Sequence, residues 1–99
     1  MSAKDPITGE WEAIVSYPDQ RELMTMMLML DGKQVTGRVE SQQGTYMLES
    51  GEFSGDHLKV FMPSAQGEME LTAQLEGGKL VGEYNLADRE QGPWEATKR

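Results

Sequence analysis

The chain has no cysteine and a single histidine, His57, and its longest apolar run, Met26 to Leu30, covers barely more than one helical turn. Without cysteine there is no disulfide framework, no thiolate nucleophile and no thiolate metal site, so the fold must be held by packing alone. So short a run is far from the roughly 20 apolar residues of a membrane-spanning helix, and Met1 to Pro6 lacks the apolar centre of a secretory signal. A soluble chain is expected, free-standing or as the mature or excised part of a longer protein. Basic residues are scarce as well: 9 Lys and Arg stand against 17 Asp and Glu, for a net charge of −8. That charge repels phosphate backbones and anionic lipid headgroups, so neither nucleic acid nor membrane insertion is expected. Helical periodicity is also missing, since no window supports an amphipathic helix of even three turns.

What the chain does have is alternation. Trp11, Ala13, Val15 and Tyr17 alternate with Glu12, Ile14 and Ser16 up to Pro18, which reads as a strand. Leu23 to Leu30 makes a second, stopped at Asp31-Gly32, a dipeptide suited to a tight hairpin turn with positive φ at its centre. Val35 to Val39 is the third, and Tyr46 to Phe53 the fourth, with a bulge expected near Ser50-Gly51. Leu58 to Met62 is the fifth, ended by Pro63. Met69 to Leu75 is the sixth, Leu80 to Leu86 the seventh, and after a loop from Asp88 to Pro93 the eighth runs from Trp94. At 99 residues the chain makes one domain, expected over 9–99 behind an N-terminal tail, 1–8.

Loops this short force each strand to pair with its successor, which predicts an all-β, eight-stranded antiparallel up-and-down (meander) barrel. Closure also removes the exposed strand edges that invite aggregation. An internal repeat supports the meander: Leu30-Asp31-Gly32-Lys33-Gln34-Val35-Thr36-Gly37-Arg38-Val39 aligns with Leu75-Glu76-Gly77-Gly78-Lys79-Leu80-Val81-Gly82-Glu83-Tyr84. Gly37 and Gly82 fall inside strands, where glycine marks a sharp bend or a close approach across a curved wall. If the barrel closes, its first and last strands pair. Trp11 is then expected beside Arg99, the guanidinium on the indole face.

Ile7-Thr8-Gly9-x-Trp11, the glycine turns, Val81-Gly82-x-Tyr84 and the terminal Arg99 resemble the calycin superfamily of avidins, lipocalins and fatty-acid-binding proteins. The Thr-Gly-x-Trp opening, with Gly9, Trp11 and Arg99 as its structural signature, is most similar to the avidin-type barrels. The whole chain is also similar to a small bacterial barrel domain of unknown role, often appended to metal-dependent amidohydrolases. The resemblance implies a calycin-like barrel able to hold a ligand, without naming the ligand. Biotin is not implied, because the only Trp besides Trp11 is Trp94 and no polar set aligns with the avidin pocket. A lipocalin's C-terminal helix and disulfides are missing, as is the helical lid of a fatty-acid-binding protein.

Few groups suggest chemistry. His57 follows Asp56 and Ser54, but neighbouring strand residues face opposite ways, so the three cannot converge as a nucleophilic relay. Glu49 with Glu52, Glu68 with Glu70, and Glu83 with Asp88 and Glu90 match no Ca²⁺ loop and read as a solvated outer face. No catalytic residue, metal site or cofactor is expected, and the chain is not expected to be an enzyme. The second strand is apolar on both faces, so one face fills the barrel while Met27 and Met29 form an outer stripe suited to docking. Val15, Leu28, Val39, Leu48, Val60, Leu71 and Leu86 are the expected filling. Tyr17, Arg38, Tyr46, Tyr84 and Trp94, with Phe61, are candidates to line a mouth at one end. The expected function is a non-catalytic barrel module that self-associates or docks on another protein domain, such as an enzyme it accompanies. The alternative is a barrel that binds a small apolar ligand.

Overall fold

The computed structural model describes residues 5–64 and 66–99; Met1 to Lys4 of the expected tail and Ala65 lie outside them. The described residues form nine strands and no helix: β1 (Gly9–Ser16), β2 (Arg21–Asp31), β3 (Gln34–Ser41), β4 (Gly44–Met47), β5 (Ser50–Ser54), β6 (His57–Ser64), β7 (Gly67–Glu76), β8 (Lys79–Leu86) and β9 (Glu90–Lys98). All pairings are antiparallel, and β1 is flanked by β2 on one side and β9 on the other. β4 and β5 both lie beside β3 and share one position in the wall. The sheet therefore closes as an eight-stranded meander barrel, the architecture that the strand spacing and short loops predict.

The fourth strand is interrupted two residues before the expected bulge, at Leu48-Glu49. There the Leu48 N–H donates to the Gly37 carbonyl at 3.0 Å and the Glu49 N–H to the Phe61 carbonyl at 2.8 Å, so the break keeps its backbone groups satisfied. Two strand ends also differ from expectation. β6 runs through Pro63 to Ser64, because beyond Phe61 it has a ladder partner only in β7, and a strand edge tolerates proline. β9 begins at Glu90, so the last loop is only Ala87 to Arg89. The turn after β2 is centred on Gly32-Lys33, with Asp31 paired to Gln34 and positive φ at Gly32 (66°).

Alternation sorts the side chains. Trp11, Ala13 and Val15 of β1 point inward with Met24, Met26 and Leu28 of β2, and Val39, Val60, Leu71 and Leu86 complete the packing. Six of the seven expected core residues are buried; Leu48, at the strand break, is only partly so.

The repeat has a structural counterpart. Gly37 lies opposite Leu28, and a Cβ on it would stand 1.9 Å from the Met27 carbonyl oxygen. Gly82 lies opposite Ala73, and its Cβ would stand 1.8 Å from the Thr72 carbonyl oxygen. At both places the preceding strand presses its backbone into the space a side chain would need, which bends the wall. At the second the freed carbonyl is used: the Trp94 indole N–H donates to it at 2.9 Å.

One end of the barrel is plugged. Ile7, within the segment expected to be a tail, is fully buried. Its carbonyl accepts the Trp11 indole N–H at 2.8 Å. Asp5 holds this cap in place by accepting from the N–H groups of Ile7 (2.8 Å) and Thr8 (2.6 Å) and from the Thr8 hydroxyl (2.7 Å). Thr8 in turn accepts the Leu30 N–H at 3.0 Å. The expected stacking of Arg99 on Trp11 is not what forms. Trp11 is in register with Lys98, so the Lys98 ammonium lies 5.8 Å from the indole centre and Arg99 falls on the outer face. There its guanidinium donates to Glu12 (2.7 Å) and Glu10 (2.6 Å), and it still ties the last residue to the first strand. The expectation was one residue out of register, and in a strand one residue reverses the face.

Candidate functional site

The other end is open. The loops following β1, β3, β6 and β8 surround a cavity of about 220 Å³ that enters the barrel from above. Its floor is Met24, Met62, Met69 and Leu86, all of them buried side chains of the upper core. Its walls carry Tyr17 and Tyr46, and its rim Ser41, Gln43, Ser64 and Gln66. Asp19, Glu22 and Glu90 supply three carboxylates, and among the described residues no lysine or arginine lines it.

The carboxylates get there by strand parity. Glu22 is in phase with Met24, Met26 and Leu28 on β2, opposite Val15 of β1, so its side chain starts inward. Glu90 opens β9 opposite Leu86 and in phase with Gly92, Trp94 and Ala96, all on the inner face. Between these two stands a pair of tyrosines. Tyr17 and Tyr84 meet edge to face with ring centres 5.1 Å apart, and the Tyr84 hydroxyl donates to Glu90 at 2.7 Å. Tyr17 shares the cavity lining with Glu22. Burial, then the charge of Glu22, hold the Tyr17 phenol well above its usual range. Burial, then the hydrogen bond and charge of Glu90, push Tyr84 up to about 12. Both phenols stay protonated at neutral pH, and Tyr84 is the donor to Glu90.

The negative field extends over the outside of this end. Glu49 and Glu68, expected with Glu52 and Glu70 respectively, meet each other across the wall. The interaction with Glu49, then a little desolvation and the charges of Glu49, Asp88 and Glu70, raise the exposed Glu68 carboxyl above the usual range. Arg89 approaches from the rim, but its guanidinium donates to the Gln66 carbonyl at 3.4 Å. Among the described residues no group of three or more His, Asp or Glu side chains is arranged to hold a metal ion.

Of the five expected mouth residues, the cavity brings together Tyr17 and Tyr46. Tyr84 lies beneath, buried to 1% exposure, and reaches the site through its contact with Tyr17 and its bond to Glu90. Trp94 is 2% exposed and packs inside the barrel, spending its one donor on Thr72. Arg38 and Phe61 point away from the interior: Arg38 pairs with Glu40 at 3.4 Å, and the Lys59 ammonium lies 5.8 Å from the centre of the Phe61 ring. Parity again explains the misplacement, since Val39 and Val60 take the inward positions beside them. Glu22 and Glu90 were the residues sequence reasoning missed. Glu22 was visible as an acidic residue in phase with a buried run; Glu90 was hidden by the late start assigned to the last strand.

His57 is exposed and sits across the tight turn from Ser54, with Asp56 inside the turn. On the outer face, Leu23, Met29 and Met47 are 69%, 60% and 63% exposed, and Met27 is half-buried between them. Met27 is flanked by Arg38 of β3, which has Met47 on its far side. No family model matches the chain, and no curated protein is found similar to it.

Proposed function

We propose that this protein is a non-catalytic binding barrel that takes a small molecule at its open end. The observation that carries this reading is the asymmetry of the two ends: one is filled by Ile7 and Trp11, and the other keeps an open cavity with an apolar floor and a polar rim. Apolar floors with a few convergent polar groups are the usual make-up of ligand sites. At about 220 Å³ the space equals roughly seven waters, which limits an occupant to a compact molecule. An up-and-down barrel with a buried tryptophan on its first strand also agrees with a calycin-like origin. A place as accessory domain beside a larger enzyme is compatible with that origin.

The outer methionine face favours a second reading, self-association. Arg38 stands between Met27 and Met47 with Glu40 at its side, so the face carries an apolar stripe with one charge of each sign, as a self-complementary surface requires. Native mass spectrometry on gently purified protein separates the two. A monomer carrying a reproducible small extra mass is the expected result. A bare dimer that dissociates on replacing Met29 and Met47 with lysine would select self-association instead.

A further inference from the structure

We propose that the ligand of the open end is an organic cation, a compact apolar body bearing one ammonium group, seated with the ammonium against Glu22 and Glu90. This rests on the reading of that end as a binding site. Among the described residues every charged side chain in the cavity lining is acidic, and Arg89, at the rim, donates to the Gln66 carbonyl at 3.4 Å. The Tyr84 hydroxyl occupies one acceptor position on Glu90, which orients that carboxylate and leaves its other lone pairs, with those of Glu22 across the cavity lining, for a donor arriving from the mouth. A neutral ligand can bring those lone pairs a hydrogen bond but no compensating positive charge, and an anion would meet the carboxylates of the lining and the Glu49–Glu68 pair outside. The aromatic walls act in the same direction, because the faces of Tyr17 and Tyr46 attract a cation. Below them, Met24, Met62 and Met69 give a floor of flexible thioethers that can repack around an apolar body of varied shape.

The test uses three probes of nearly equal size, phenethylammonium, 2-phenylethanol and phenylacetate, titrated into the full chain while its amide resonances are followed by NMR. Phenethylammonium is expected to shift the amides of Tyr17, Glu22 and Glu90 and to bind about tenfold more tightly than phenylethanol, one charge-assisted hydrogen bond's worth. Phenylacetate is expected not to bind. The tenfold advantage of the ammonium over the alcohol should vanish in Glu22→Gln/Glu90→Gln. Should that variant fail to fold, added salt in the wild type makes the same distinction, weakening the ammonium and sparing the alcohol. Phenylethanol binding at the mouth as tightly as the ammonium would overturn the cation preference and leave the binding site standing. No shift at the mouth from any of the three would overturn both.

Discussion

The two ends of this barrel start from the same parts and finish as different objects. At the closed end the last inward layer is Trp11 capped by Ile7, and the indole N–H is satisfied by the Ile7 carbonyl. At the open end the last inward layer ends in Glu22 and Glu90, whose charges cannot be taken out of water without partners and so keep the space above them unfilled. Tyr84 supplies part of that partnership and leaves the rest unmet. The contrast shows how little separates a plug from a pocket in a small barrel: the wall and its pleat are common to both, and the side chains at the final inward positions decide.

The largest effect should come from emptying the closed end. Trp11→Ala removes the biggest buried side chain and the anchor of Ile7, and is expected to cost about 3–5 kcal/mol in urea denaturation. Met62→Ala, at the cavity floor, should cost about 2 kcal/mol, because water entering from the mouth offsets part of the void. Equal losses would mean that the ends do not differ in the way described. Next comes the wall between them. Gly82→Ala places a methyl against the Thr72 carbonyl and the Ala73 Cα, backbone that cannot swing aside, and displaces the Trp94 indole from its acceptor. A loss of about 1–3 kcal/mol is expected, with Trp94 fluorescence shifted to the red as its N–H turns to solvent. An unchanged emission maximum would show that the bend does not depend on this contact.

How much of this was legible in the sequence follows from what fixes each feature. Alternation and tight turns are local, so the meander and most of the core could be read directly, down to the paired bends at Gly37 and Gly82. Residue-level placement depends on register, which is set by pairings between distant segments. Trp11 was therefore assigned Arg99 when its partner is Lys98, and Arg38 was sent to the mouth when it points outward. The site suffered most because its defining residues stand where strands meet loops. Glu90 lay in the stretch read as the last loop, Asp88 to Pro93, although a wall position whose N–H is not needed accepts proline. Ile7 lay in a segment assigned to a tail, because one isoleucine carries no periodic signal.

The smallest effect sharpens the comparison by its dependence on pH. Desolvation pushes the Asp5 carboxyl up, but the hydrogen bonds from Thr8 and Ile7, helped by the charge of Lys98, together prevail and hold it below the ordinary 3.8. A group whose folded-state value is lowered binds fewer protons folded than unfolded in that range. Its contribution is therefore present above the ordinary value and is lost as pH falls through the lowered one. Asp5→Asn keeps one acceptor for the two N–H groups and loses the charge. Since Asp5 lies near the surface, a loss below about 1 kcal/mol is expected at neutral pH. Stability curves of wild type and variant should converge in acid below the ordinary carboxylate range. A gap that persists there would place the role of Asp5 in its shape and not its charge, and would make the closed end a matter of packing throughout.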